Sequence, residues 1–398
     1  MMFRPEQIVY LDNNATTQVD PAVVEEMLPF LRDYHGNASS LYGFGRQVAG
    51  AIAKARDQVA ALLGCMPEEI IFTSCGTESD NAAIESALRM DPDRRHIVTT
   101  AVEHSAIQKH CELLARRGHA VTWLRVDSLG RMDLAELERA ITDETALVSV
   151  MWANNETGVL FPVAQAAEIA ASKGVFFHTD AVQAVGKIPV NLSSLPVHYL
   201  SLSGHKLHCP KGVGALYVNR RARFHPLLIG GGQESGRRGG TENVASIVAL
   251  GKACELAAAA LDHENTAVRA MRDRFEQRAL AEIPGVTCNG DADHRLPNTS
   301  SLVFEGCEGE ALLILLDRAN VCASAGSACT TGSLSPSHVL TAMGLPADRA
   351  RATLRFSFGR FNTEADVDRG LDAVQSAVAR VRALRPAGEV VRVAGATG

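Results

Sequence analysis

Among nine cysteines there is no Cys-x-x-Cys pair, so a chain of 398 residues carries neither a disulfide framework nor a zinc ribbon. Most of these thiols are expected to be reduced and buried. Positive charge is not in excess either: 39 Lys and Arg stand against 45 Asp and Glu, a net charge of −6, and the basic residues are scattered rather than striped. Nucleic acid is therefore not an expected partner. The first residues, MMFRPEQIVYLDNNATT, hold no apolar signal core. The longest apolar run, near Leu256 to Leu261, is too short and Ala-rich to span a bilayer. These absences predict a cytoplasmic protein that is not a membrane partner. Repeats and low-complexity segments are also missing, and 46% hydrophobic against 21% charged residues excludes a disordered chain.

What is present is an alternation of helical periods with short β-branched runs over the first 250 or so residues, the pattern of βαβ units and a mainly parallel sheet. A helix is expected from Asp20, a cap, through Pro21 to Arg32, and another from about Gln47 to a stop at Gly64. Strands are expected at IIFTS, HIVTT, AVTWL, ALVSVMW, VFFHTD, HYLSLS and GALYV. A long helical pattern follows Thr241 and runs to about Ile283, where Pro284 and Gly285 stop it. The tail half alternates TSSLVFE, GEALLILLDRA, a small-residue loop ASAGSACTTGS, a short helix after Pro336, TLRFSF and a last helix opened by Thr363. The expected division is a large domain over 16–260 and a smaller α+β domain from 1–15 and 261–398, which carries the cysteine loop.

Chemistry-bearing residues fall at strand ends. Asp180 and Gln183 follow VFFHTD, where parallel α/β sheets place ligands; a helix cap is an equal reading for the aspartate alone. Lys206, after a strand and between Gly204-His205 and Leu207, suits a Schiff-base lysine, although most lysines are solvated. Gly76 and Thr77 open a helix after IIFTS, and Thr241 is expected to open another, so both sites offer free amides to an anion, with Ser203 and His205 completing the cup. Each threonine is also an ordinary N-cap. Cys329 sits among Gly, Ala, Ser and Thr, a setting for a mobile thiol or for a small buried one. His104 can stack on an aromatic cofactor and shuttle protons, Arg355 can clamp a carboxylate, and Asn155 suits either task; a core histidine and a surface arginine are the plainer alternatives. A lysine, a carboxylate for a pyridine nitrogen and phosphate donors together are what pyridoxal chemistry needs.

Nine segments in order, YLDNNATT, TSCGTESDN, TAVEHSA, MWANNETG, HTDAVQAVGK, SLSGHKLHCPKGVG, GRRGGTEN, GSACTTG and LRFS, resemble a cysteine desulfurase of the class V aminotransferase family, most of all its nitrogen-fixation type branch. The likeness runs from about Val9 to beyond Phe361. It implies the type I pyridoxal-phosphate fold with a mainly parallel seven-stranded sheet, and a homodimer with active sites at the subunit interface. It also implies roles: Lys206 bonded to pyridoxal 5'-phosphate, His104 over the ring, Asp180 at the pyridine nitrogen, Gln183 at the phenolic oxygen, and Gly76, Thr77, Ser203, Gly204, His205 and Thr241 of the partner subunit around the phosphate. Asn155 and Arg355 would take the carboxylate of L-cysteine, and Cys329 would carry the persulfide to an iron–sulfur scaffold protein. No metal site is implied beyond Cys329 as a transient iron–sulfur ligand. Cys209 is an added thiol three residues after the lysine, and Ala325 stands where the family often has serine.

Overall fold

The computed structural model describes residues 7–325 and 336–384. The chain opens with β1 (Val9–Tyr10). In α1 (Pro21–Arg32) the Asp20 carboxylate accepts from the Ala22 amide and Pro21 sits in the first turn, the N-terminal chemistry read from the sequence. Helix α2 (Gly43–Leu63) begins four residues earlier than its apolar period suggested and ends on Gly64, whose φ of 65° is the left-handed cap conformation.

The βαβ alternation then runs as β2 (Ile70–Thr73), α3 (Gly76–Met90), β3 (His96–Thr100), α4 (Ser105–Arg116), β4 (Ala120–Leu124), α5 (Leu134–Ala140), β5 (Thr145–Ser149), α6 (Val163–Ser172), β6 (Phe176–Asp180), β7 (Tyr199–Ser203) and β8 (Gly214–Val218). These strands form one seven-stranded sheet in the order β2-β8-β7-β6-β5-β3-β4. All are parallel except β8, which runs antiparallel to both neighbours. Apart from the edge strand β4, they are buried on both faces, as parallel sheets covered by helices must be. The C-terminal ends of β3, β5, β6 and β7 therefore emerge on one side, where the site is built.

After β8, α7 (Val244–His263) and α8 (Arg269–Glu282) are joined without a break by one π-helical turn, Glu264–Val268. By length and composition the stretch Val244–Glu282 would suffice to cross a bilayer, which the short apolar run in the sequence did not suggest. Here Ile247, Leu250, Ala253, Cys254 and Ala257 are buried in the core shared with α2. Contact between the two helices is close: a Cβ on Gly251 would lie 2.6 Å from Ala55 Cα.

The remainder comprises β9 (Val286–Cys288), β10 (Thr299–Phe304), α9 (Gly309–Arg318), β11 (Val321–Cys322), β12 (Ser324–Ala325), α10 (His338–Ala342), α11 (Ala347–Arg351), β13 (Thr353–Ser357) and α12 (Glu364–Ala383). An antiparallel sheet, β12-β13-β10-β9, packs on α8 and α12, while β1 pairs in parallel with β11. Val9 and Leu11 thus join a second apolar core with Phe275, Phe304, Phe356 and Leu371. Leu296, Val339, Leu340 and Met343 pack instead into the first core, so chain order and core membership do not divide at one point.

Candidate active site

A cavity of about 290 Å3 opens at the C-terminal ends of the parallel strands. Lys206 reaches it from the turn Gly204–Lys206 that follows β7. Its Nζ donates to the carbonyls of Asn14 and Ala15, at 2.5 and 2.6 Å. The loop after β1 is held there by Thr17, whose amide and hydroxyl both donate to the His205 carbonyl.

Across the cavity, Asp180 ends β6 and is buried. Its Oδ1 accepts from the Val182 amide at 2.9 Å, so the aspartate braces a local turn and lines the pocket as well. Behind it, Asp80 on α3 is wholly buried and its Oδ1 has no hydrogen-bond partner. The Asp180 carboxyl is raised by burial, an effect that the charges of His104 and Lys206 oppose. Asp80 is raised well above the usual range, by burial first and then by Asp180. Ligating atoms of Asp80, His104 and Asp180 all lie within 4.8 Å of one another, so the region is set to receive a cationic hydrogen. His178 is a neutral imidazole beneath the floor, pushed down to about 3 by burial, bonded to Ser149 and Ser201.

Beside these carboxyls lies the start of α3, where no side chain caps the helix. Gly76 and Thr77 line the cavity there. A Cβ on Gly76 would come 2.9 Å from Val182 Cγ2, so a side chain could enter only by displacing that wall. Free first-turn amides and the positive end of the helix suit an anion. Ser203 and His205 lie beside them; the His205 imidazole bonds Thr16 and is pushed down to about 4, by burial first and then by Lys206. His104 caps α4 by accepting from the Ala106 amide at 3.2 Å, and burial lowers its pKa.

Arg355, in the middle of β13, is buried and enters from the second core. Its guanidinium donates to Asn155 O and to Asp12 Oδ1, both at 2.9 Å, while Nε has no partner. A buried, partly unanswered guanidinium is a seat for a carboxylate. Asp12 also accepts from Ser324 at 3.0 Å, which ties the seat to β12.

Of the residues read from the sequence, Gly76, Thr77, His104, Asn155, Asp180, Gln183, Ser203, His205, Lys206 and Arg355 all line this one cavity. Gly204 does not: it stands behind the wall, where a Cβ would meet Val213 and Cys209 at 3.0 to 3.1 Å. Thr241 does not line it either, and it does not open α7; it is exposed in the preceding loop, and Asn243 caps the helix by accepting from Ser246. Cys329 lies outside the described residues. Cys209 is buried, its thiol pushed well up by burial and by Cys254. Sequence reasoning missed Asn14, Ala15, Cys75, Asp80 and Met151, which also line the pocket. For Asp80 a signal existed: it lies three residues after Thr77 on the same helix, facing the sheet.

The Aminotransferase class-V family model matches residues 9–369. The "Cysteine desulfurase NifS" of Azotobacter vinelandii is 54% identical over 379 residues, 95% of this chain and 94% of that protein. Among solved structures, a "NifS-like protein" superposes with a TM-score of 0.88 at 38% identity, covering 94% of this chain and 100% of that one. A structure titled "SspA in complex with cysteine" matches with a TM-score of 0.78 at 34% identity, over 89% of this chain and 99% of the other. With that ordered set of segments, this sheet and this pocket, the chain belongs to the aminotransferase class V family, in its cysteine desulfurase group.

Proposed function

We propose that this protein is a pyridoxal-phosphate-dependent cysteine desulfurase that converts L-cysteine to L-alanine and carries the sulfur as a persulfide on Cys329. The observation that carries the reading is the single cavity with a lysine amine on one wall, buried carboxyls on another, an uncapped helix start at one end and a buried guanidinium at the other. The residues present fit the cofactor. Lys206 would hold it covalently, Asp180 would answer a protonated ring nitrogen, and Gly76, Thr77, Ser203 and His205 would cradle the phosphate. When bound, pyridoxal 5'-phosphate supplies an electron sink for the α-carbon of the amino acid.

The protein's own groups do the rest. Asn155 and Arg355 orient the substrate carboxylate. Asp180 would hold a proton on the ring nitrogen through a charge-assisted hydrogen bond, which offsets the cost of its burial. His104 and the Lys206 amine would move protons at the amino acid's α-carbon. The Cys329 thiolate attacks the substrate sulfur: an S–S bond forms as the C–S bond breaks, the electron pair stays on the amino-acid carbon, and protonation there yields alanine.

Exposed Leu41, Tyr42 and Ile229, with Ile229 in the same loop as the outlying Thr241, support a homodimer in which Thr241 of the partner subunit completes the phosphate cup. Eight free cysteines among the described residues suit a reducing, cytoplasmic setting. The second apolar core, built from Val9, Leu11 and residues after 261, supports a smaller domain from 1–15 and 261–398 beside a large cofactor-binding domain over 16–260, although Leu296, Val339, Leu340 and Met343 pack into the first core. Likeness to the Azotobacter vinelandii NifS supports delivery of sulfur to an iron–sulfur scaffold, for nitrogenase maturation.

The test is direct. Purified protein given L-cysteine and a reductant should release alanine and sulfide in equal amounts, and Cys329→Ala should keep the cofactor absorbance while losing sulfide. Borohydride reduction and peptide mapping should place a pyridoxyl group on Lys206; its absence there rejects the reading.

A further inference from the structure

A second lysine lies under the pocket floor. Lys187 is only 6% exposed. Gly186 turns it inward: its φ is 76°, and a Cβ there would lie 2.5 Å from Leu207 Cδ2, so glycine is required before the lysine. Lys187 Nζ donates to Gln183 Oε1 at 2.7 Å, and its contact with Asn14 Oδ1 is 3.4 Å. Gln183 Nε2 in turn donates to the Asn14 carbonyl at 2.9 Å. An amide held between an ammonium and a carbonyl has one arrangement, oxygen to the donor and nitrogen to the acceptor. The second Nε2 hydrogen is left for whatever occupies the cavity that Gln183 lines.

The surroundings favour a built feature over an accidental burial. Lys187 shares a cavity of about 20 Å3, room for one water, with Glu264. Glu264 opens the π turn between α7 and α8, and Asn265 in the same turn donates to the Lys187 carbonyl at 2.9 Å. A π turn inserts a residue into a helix and recurs at functional sites. Here it brings a carboxylate and an amide to Lys187, whose charge burial and the nearby Lys206 disfavour.

We propose that Lys187 is a positioning residue: by donating to Gln183 Oε1 it turns the amide so that an N–H, not an oxygen, faces the phenolic oxygen of the bound ring. This rests on the pyridoxal-phosphate reading of the cavity. Without Lys187 only the Asn14 carbonyl still orients the amide, so its N–H is held less firmly toward the ring, which weakens cofactor binding and shifts charge on the ring.

The test is a double-mutant cycle on the reconstituted full-length protein, read by the cofactor's visible absorbance and by its Kd from equilibrium dialysis. K187M should displace the absorbance maximum and weaken the cofactor about tenfold, the worth of one buried hydrogen bond. In a Q183A background the same substitution should change neither reading. An unshifted band and Kd in K187M, or equal effects in both backgrounds, overturns the proposal. Should K187M not fold, K187Q, whose amide can accept from Gln183 as well as donate, is compared in the same way. Failure of the wild-type protein to form a borohydride-trapped adduct on Lys206 would instead remove the functional reading beneath it.

Discussion

At the scale of single residues, the pocket is a matter of where charge is left unanswered. Asp180 answers one backbone amide and keeps its remaining capacity toward the cavity. On the pyridoxal-phosphate reading proposed above, Asp180→Asn preserves shape but removes the charge that would hold a proton on the ring nitrogen. The variant should fold and bind cofactor, yet turn over cysteine at least about a hundredfold more slowly, roughly 3 kcal/mol on the barrier; alanine release measured at saturating cysteine decides it. A variant within threefold of wild type would refute this role. Asp180, Gln183 and Lys206 were legible in the sequence because strand ends and flanking small residues are local signals. Asn14 was not. It touches Lys206, Gln183, Lys187, Asn155, Asn298, Thr299 and Ser357, partners up to 343 residues away, and only tertiary folding creates such a junction.

Among the elements, periodicity revealed nearly every helix and buried strand, since a two-sided parallel sheet writes short apolar runs. The misreadings have physical causes. Thr241 has the chemistry of a cap, but Asn243 is the residue whose side chain reaches a first-turn amide. The π turn escaped notice because one inserted residue leaves the apolar pattern almost unchanged. Two glycines give opposite expectations. Gly50, exposed within α2, has open space within 4 Å of where a methyl would stand, so Gly50→Ala should stabilise by about 0.5–1 kcal/mol through helix propensity. Gly251 faces Ala55 across the α2–α7 contact, and Gly251→Ala should cost about 1–3 kcal/mol through overpacking. Urea unfolding of both variants checks the pair; a shift of the same sign in each contradicts the packing account.

For the whole molecule, buried titratable groups set how stability follows pH. His178, His205 and His208 are pushed down from 6.5 to about 3, 4 and 4, by burial first. Below pH 6.5 the unfolded chain therefore binds more protons, and acid destabilises the fold. Glu103, Glu156 and Glu264 are pushed up from 4.5 to about 8, 7 and 7, again by burial first. Across that window the folded chain binds more protons, so rising pH costs stability. Lys187, lowered to about 7, opposes this loss above pH 7. His96, His104, His110, His119, His198 and His338 are lowered in the same sense, and Asp80 and Asp180 raised, so between pH 4.5 and 6.5 the histidines outweigh the carboxyls and stability rises with pH. The urea midpoint should thus peak near pH 6.5, the ordinary histidine value, and fall on either side. A midpoint that climbs steadily from pH 4 to 8 would contradict the assignment.

The pairing of β1 with β11 has a consequence for how the enzyme comes into being. A ribosome delivers Val9 and Asn14 first, but the residues that anchor them, from Thr299 to Ser357, arrive last. A nascent chain released after β8 owns every strand of the large sheet and can hold the loop that meets Lys206 through Thr17 and Asn14, but it lacks the contacts from Asn298, Thr299 and Ser357. The full set of contacts around that loop is therefore completed only when the last part of the chain has been made.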